Sequence, residues 1–132
     1  MKFMLDTDTC IYVINRKPQK VFERFREHRI GDIGISVITL SELRYGAEKS
    51  IQPEKNLMAL SGVVAPLEIL TYSEEEAETY GRIRADLDSK GEPIGSMDML
   101  IAAHALGQDV TLITNNPREF SRVSGLRVES WA

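Results

Sequence analysis

The chain has 132 residues, 42% hydrophobic and 27% charged, and we expect residues 1–132 to form a single globular domain. No run of about 20 apolar residues is present to span a membrane, and Asp6 interrupts the segment where a signal peptide needs its apolar core. Cys10 is the only cysteine, which excludes an internal disulfide and favours a cytoplasmic protein. Sixteen Lys and Arg against twenty Asp and Glu give a net charge of −4, which argues against binding nucleic acid through bulk positive charge.

Charge is unevenly distributed along the chain. Residues 1–30 carry seven basic and four acidic side chains, a net of +3, which leaves −7 for the other 102 residues. The pattern predicts a solvated amphipathic helix with Val21, Phe22 and Phe25 turned inward, and an RNA-facing patch is the alternative. We call residues 16–29 the basic segment, because six basic residues cluster there around Pro18: Arg16, Lys17, Lys20, Arg24, Arg26 and Arg29.

The chain begins with alternating strand and helix signals. An apolar run over residues 3–5 ends at an aspartate and predicts a buried strand. Residues 7–9 (Thr-Asp-Thr) supply N-cap chemistry for a helix over residues 10–14. A second helix is expected after Pro18, and residues 33–35 predict the second strand.

The middle of the chain predicts three helices and one strand. Residues 39–42 (Thr-Leu-Ser-Glu) open a third helix, and a fourth begins near Pro53. Residues 67–70 predict a short strand. A long helix is expected over residues 73–90, with Gly91 as its stop signal.

The remaining elements complete an α/β pattern. A helix over residues 96–106, with Gly107 just beyond its end, precedes a strong strand at 109–114 and a weaker one at 126–128. Strands that alternate with helices form a mostly parallel sheet covered on both faces. Such sheets bind ligands at the carboxyl ends of their strands, so functional residues are expected at that edge.

Three acidic residues are predicted at that edge. Asp6 follows the first strand, Glu42 lies at the start of the third helix, and Asp98 begins the helix before the fourth strand. Carboxylates that converge repel one another unless a cation lies between them. Oxygen ligands with room for water suit Mg²⁺ or Mn²⁺, which can activate a bound water and neutralise charge on a phosphodiester.

Each acid also has a structural interpretation. The spacing from Thr39 to Glu42 matches a capping box, in which Glu42 would only accept a hydrogen bond from the Thr39 amide. Asp98 lies in the first turn of its helix, where an acid favours the helix dipole in any protein. Asp6 and Asp8 are residue types common in turns and caps.

Four segments carry a family resemblance: FMLDTDTCIY (residues 3–12), ISVITLSELRYG (35–46), PIGSMDMLIAAHA (93–105) and LITNNPREF (112–120). In this order and spacing they resemble the sequence blocks of the PIN-domain ribonucleases. In length and detail the chain looks most like the VapC toxins of bacterial toxin–antitoxin pairs. The resemblance implies an α/β/α sandwich with a small central, mostly parallel sheet.

The resemblance also implies an acidic metal site. Asp6 and Asp98 would be the principal Mg²⁺ ligands, with Glu42 completing the cluster directly or through water. The hydroxyls of Thr7 and Ser36 would orient metal-bound water or a phosphate oxygen.

Two positions depart from the family pattern. Many PIN domains have an acid two residues after the threonine of the fourth block, where this chain has Asn116. Glu119 would then supply a more distant carboxylate, or would only start a last short helix. The family usually has Asn where this chain has Asp8, and the additional charge would either tighten metal binding or displace the geometry.

The activity implied by the resemblance is Mg²⁺-dependent endonucleolytic cleavage of structured RNA, with tRNA as the expected target and Mn²⁺ as a plausible substitute metal. Translation would be inhibited until a VapB-type antitoxin covers the active face. A homodimer and a larger toxin–antitoxin assembly are also implied. The basic segment would contact the RNA backbone.

Two other classes of protein compete with this interpretation. A haloacid-dehalogenase-like phosphatase would use Asp6 as nucleophile and Asp8 as acid. It requires Thr or Val where Cys10 stands, and an acidic pair where the chain offers only Asp98. A receiver-like Mg²⁺-binding signalling domain requires a lysine after a late strand, and residues 114–116 (Thr-Asn-Asn) contain none.

Four further residues are expected to be structural. Cys10 is expected to be a small buried residue rather than a reactive thiol. His28 is expected to be solvated among arginines. His104 lies six residues after Asp98 and therefore points to another face of its helix. Trp131 is expected to pack against the last strand.

Overall fold

The computed structural model describes all 132 residues, and its elements alternate as the sequence predicts. The strands are β1 (Phe3–Leu5), β2 (Ile33–Ser36), β3 (Glu68–Leu70), β4 (Thr111–Ile113) and β5 (Val128–Glu129). The helices are α1 (Thr7–Asn15), α2 (Gln19–Arg26), α3 (Val37–Glu48), α4 (Pro53–Val64), α5 (Glu74–Ser89), α6 (Ser96–Gly107) and α7 (Pro117–Phe120). All neighbouring strands pair in parallel, in the order β3-β2-β1-β4-β5.

The sheet is covered on both faces. Because side chains alternate along a strand, Met4 and Leu112 face a cluster formed mainly by α5 and α6. Leu5 and Ile113 face a second cluster that includes residues of α1, α2, α3 and α4. The predicted α/β/α sandwich with a small parallel sheet is therefore confirmed. None of the helices is long and apolar enough to cross a membrane.

Two helices begin earlier than predicted because strand-end residues cap them. Asp6 caps α1, and its side chain accepts a hydrogen bond from the Thr9 amide at 2.9 Å. Ser36 caps α3, and its hydroxyl accepts from the Ile38 amide at 3.0 Å. The predicted capping box at Thr39 is therefore wrong, because Thr39 lies inside α3.

The last strands differ from the sequence boundaries. Helix α6 includes Gly107, which was expected to lie just beyond its end. Asp109 adopts a φ of 55°, and the Val110 amide donates to the Ala105 carbonyl at 3.2 Å. The turn at the end of α6 therefore includes residues 109 and 110, and β4 begins at Thr111. Strand β5 is shifted to Val128–Glu129, where it pairs with β4. Gly91 adopts a φ of 65° after α5, as its predicted role as a stop signal requires.

Cys10 and Trp131 are both buried in the core. Cys10 is 2% exposed and Trp131 is 1% exposed. The prediction of a solvated His28 is wrong, because its ring stacks on Trp131 with centroids 5.0 Å apart and lies 4.7 Å from the Phe3 ring. Helix α2 is amphipathic as predicted, with Val21 buried.

Candidate active site

Asp6 joins β1 to α1 at the carboxyl edge of the sheet. Its amide donates to the Ile113 carbonyl at 2.9 Å, which continues the pairing of β1 with β4 by one residue. The side chain is 5% exposed and is fixed by the Thr9 amide. Burial raises the pKa of Asp6, the charge of Asp8 adds to that effect, and hydrogen bonds from Thr114 and Thr9 oppose it.

Glu42 projects from the second turn of α3 and is half-buried. The Thr7 hydroxyl donates to Glu42 Oε1 at 2.6 Å. This bond joins the start of α1 to α3 across 35 residues of sequence. Glu42 is thus held beside the residue that follows Asp6, and it takes no part in capping its own helix.

Asp98 lies in the first turn of α6 and is half-buried. Its carboxylate lies over the helix start, where a Cβ placed on Gly95 would be 3.4 Å from Asp98 Oδ2. Burial raises the pKa of Asp98 to about 6. The charges of further carboxylates contribute to this shift: Glu119, Asp6, Glu42 and Asp8. The acids of four distant segments are therefore close enough to repel one another.

Glu119 supplies a carboxylate next to Asp98. Its Oε1 accepts from the Gly95 amide at 3.2 Å, and its Oε2 accepts from the Asn116 side-chain amide at 2.6 Å. Glu119 is also the foremost of the charges that raise the pKa of Asp98. The structure thus places the fourth acid on α7, with Asn116 holding it, and leaves Asp8 exposed at the start of α1.

Ser36 does not lie where the resemblance implied. It is fully buried, its hydroxyl caps α3, and its Oγ lies 2.7 Å from His104 Nδ1. The expectation that Ser36 orients metal-bound water is therefore corrected: its hydroxyl faces the interior. Sequence reasoning missed the pair, since 68 residues separate its members and no local pattern signals the contact. His104 points away from Asp98, as predicted.

The acidic cluster has no basic partner within the chain. The three salt bridges of the structure join other residues: Arg24 with Glu129, Lys90 with Asp86, and Arg127 with Asp109. No three His, Cys, Asp or Glu side chains are placed so that they could hold a metal ion by themselves. Mg²⁺ is commonly held by one or two carboxylates and keeps several waters. Carboxylate oxygens are ligands that suit Mg²⁺ and Mn²⁺, so the chemistry of this donor set fits either ion.

An apolar groove of about 280 Å³ opens beside Glu42, between α1, α3 and α4. Its hydrophobic lining comes from all three helices and includes Ile11, Ile14, Leu43 and Leu60. Ile11 remains 41% exposed. The groove thus joins the acidic edge to an apolar surface.

Comparison with known proteins gives one consistent result. Residues 3–126 match the PIN domain family. The chain is 48% identical to the tRNA(fMet)-specific endonuclease VapC of Salmonella typhimurium over 131 residues, which cover 99% of this chain and 98% of the relative. It is 44% identical to the Ribonuclease VapC2 of Haemophilus influenzae, with the same 99% and 98% coverage.

Solved structures agree with the sequence relatives. A chain in the crystal structure of DNA-bound VapBC from Salmonella typhimurium matches this chain with a TM-score of 0.94 at 48% identity. The match covers 100% of this chain and 99% of that one. A chain of VapBC2 from Rickettsia felis, bound to a promoter DNA fragment, matches with a TM-score of 0.92 at 38% identity and full coverage of both.

The parallel sheet with acids at its carboxyl edge, together with these matches, shows that the chain belongs to the PIN-domain family. Within that family it is a VapC-type ribonuclease toxin. The predicted family and enzyme class are confirmed, and they replace the phosphatase and receiver interpretations.

Proposed function

We propose that the chain is a Mg²⁺-dependent endoribonuclease that cleaves structured RNA, with tRNA as its substrate, and thereby inhibits translation. The observation that carries this proposal is the uncompensated acidic cluster, in which burial and neighbouring carboxylates raise the pKa of Asp98 to about 6. Two relatives at 48% identity are named tRNA(fMet)-specific endonucleases, which supports tRNA as the substrate. Since tRNA is a cytoplasmic RNA, the cytoplasm is the proposed place of action.

Each side chain of the acidic site has a separate proposed role. Asp6 and Asp98 would hold the ion, which when bound lowers the pKa of water and neutralises charge on the phosphodiester. The Thr9 amide fixes Asp6, and the Thr7 hydroxyl fixes Glu42. Glu42 then completes the site directly or through water. Attack of water on phosphorus breaks the P–O3′ bond, and the O3′ atom leaves with a proton, giving 5′-phosphate and 3′-hydroxyl ends.

Isosteric substitutions test this assignment. Asp6→Asn and Asp98→Asn should abolish cleavage of a tRNA substrate while preserving the circular dichroism spectrum. Glu78→Gln, an exposed carboxylate-to-amide change on α5, is the matched control and should cleave at the wild-type rate. EDTA should stop the wild type, and Mg²⁺ or Mn²⁺ should restore it. Wild-type cleavage by either aspartate variant, or in EDTA, would reject the metal mechanism.

A VapB-type antitoxin is the proposed regulator. The relatives of known structure cited above are VapBC complexes. The apolar groove ends at Glu42, so an apolar antitoxin segment lying in it could direct an arginine to the acidic cluster. Ala59→Glu would place a charge in the groove, on the exposed side of α4. It should weaken antitoxin binding and leave cleavage of free RNA unchanged; unaltered binding would exclude the groove.

Exposed side chains support a proposed assembly and a proposed RNA contact. We propose that residues 1–132 form a single PIN domain, which assembles as a homodimer and joins a larger complex with antitoxin. The exposed side chains of Tyr45, Ile51 and Met58 support a further protein contact. Within the basic segment Arg24 is paired with Glu129, and the other five basic side chains are exposed. Neutralising those five should weaken RNA binding and flatten its salt dependence.

A further inference from the structure

A buried polar cluster lies beneath the active edge, where α5 and α6 meet the turn from β2 into α3. Ser36, Thr39 and His104 are 0% exposed, and Glu76 is 1% exposed. Glu76 Oε2, His104 Nε2 and Thr39 Oγ1 have no hydrogen-bond partner among the protein atoms. Buried polar atoms without partners destabilise a fold, so apolar residues here would be the better choice for stability alone.

The hydrogen bonds at Ser36 define the state of the His104 ring. Ser36 Oγ already accepts from the Ile38 amide at 3.0 Å, which leaves its hydroxyl proton free to donate to His104 Nδ1, 2.7 Å away. Burial lowers the pKa of His104, so the ring is neutral and one nitrogen carries the proton. With Nδ1 accepting, we assign the proton to Nε2.

Glu76 lies near enough to His104 for its charge to act on the ring. Its Oε1 accepts from the Ser73 amide at 2.8 Å and from the Ser73 hydroxyl at 2.7 Å, so Oε1 is saturated and Oε2 is free. A Cβ placed on Gly107 would be 3.3 Å from Oε2, which locates this oxygen against the last turn of α6. The Glu76 charge also acts on His104, and favours its protonated form. Oε2 and Nε2 are not hydrogen-bonded to each other. The Gln108 side chain lies beside Glu76 and the Thr71 backbone lies beside His104, so Glu76 acts on the ring through its charge.

We propose that the Ser36–His104 hydrogen bond, with the Glu76 charge acting on the ring, is a positioning relay that fixes the turn from β2 into α3 relative to α6. Glu42 follows Ser36 by six residues on α3, and Asp98 precedes His104 by six residues on α6. The relay therefore joins the two helices that carry Glu42 and Asp98. None of its three side chains touches the substrate; each acts by holding the distance between the acids.

Two substitutions of His104 that differ in the polar contacts they keep test the relay. The role of the relay in cleavage rests on the proposed ribonuclease function. His104→Asn keeps a polar group near Nδ1 and the Ser36 contact, whereas His104→Leu fills the space and removes both polar contacts. We expect the Leu variant to lose on the order of tenfold or more in kcat, because small misplacements of reacting groups are costly. Its KM for RNA should be unchanged. The Asn variant should recover part of the lost kcat.

Ser36→Ala provides a second route if His104→Leu does not fold, and should lower kcat in the same way. Mn²⁺ titration by calorimetry should show weaker binding to both variants, independently of RNA cleavage. Glu78 lies two residues after Glu76 on α5 and is exposed, so Glu78→Gln is the matched control for Glu76→Gln. Wild-type kcat and Mn²⁺ affinity in His104→Leu, or in Ser36→Ala, would overturn the relay while leaving a ribonuclease that cleaves RNA.

The tautomer gives a test that needs no activity. The chain has two histidines, so imidazole ¹⁵N spectra assign each ring directly. We expect His104 to show the neutral form with the proton on Nε2, and Glu76→Gln to shift that resonance more than the His28 resonances. A proton on Nδ1, or a His104 ring unaffected by Glu76→Gln, would reject the relay even if the wild type cleaves RNA.

Discussion

Replacing Asp98 by asparagine should stabilise the metal-free protein while abolishing its activity. The carboxylate is half-buried among other acids, and its pKa is raised from 3.8 to about 6. Between these two pH values the folded state binds more protons than the unfolded state, so stability falls as pH rises through this window. Above about pH 6 the destabilisation is complete. Asp98→Asn removes the charge, and therefore removes the destabilisation.

The magnitude follows from the size of the pKa shift. Each pKa unit corresponds to about 1.4 kcal/mol, so full conversion of the Asp98 shift would give about 3 kcal/mol. The side chain is partly exposed to water, where screening weakens charge interactions. We therefore expect the variant to be about 1 kcal/mol more stable than the wild type at pH 7.5, or about 4 °C in Tm for a domain of this size.

Urea denaturation in EDTA at pH 7.5 and at pH 5 measures the effect. The gap between Asp98→Asn and wild type should be large at pH 7.5 and smaller at pH 5. Mg²⁺ should raise the Tm of the wild type and leave that of the variant nearly unchanged. Glu78→Gln should show no comparable gap. A variant less stable than the wild type in EDTA at pH 7.5, or a gap independent of pH, would refute the electrostatic reasoning.

The remaining predictions concern three other residues. Glu119→Gln should lower the pKa of Asp98, because Glu119 is the foremost charge that raises it; the acid limb of the pH–rate profile should then move to lower pH, and an unmoved limb would contradict this. Thr7→Val removes the donor to Glu42, so half-maximal cleavage should need more Mg²⁺ at an unchanged Tm; an unchanged requirement would show that the bond has no role. Cys10 is buried and its thiol pKa is raised by burial, so a thiol reagent should modify it only as urea unfolds the chain, and fast labelling in buffer would contradict its burial.

The sequence predicted the elements well because apolar runs and stop signals are local properties. Residues 3–5 match β1, and Gly91 ends the long helix as expected. The errors fall at caps and strand ends. Whether Ser36 or Thr39 caps α3 depends on where β2 stops, and that is decided by pairing with β1 and β3.

The sequence also predicted part of the candidate site, because some of its acids lie next to elements that local patterns reveal. Asp6, Glu42 and Asp98 follow from the rule that parallel strands present ligands at their carboxyl ends. Their roles in metal binding stay a prediction. The choice between Asn116 and Glu119 was open in the sequence, since both residues suit the fourth block. Only the packing of α7 against the start of α6 shows Glu119 beside Asp98.

The net charge of −4 is a property of composition and does not show where the carboxylates lie in the fold. The sequence by itself determined the parallel α/β architecture, the family resemblance and three of the acids, because these depend on patterns within short segments. Tertiary structure decided that the acids lie together without a basic partner, and that Ser36 faces His104 instead of the open edge. Such contacts join residues tens of positions apart, so only the packed fold specifies which side chains meet.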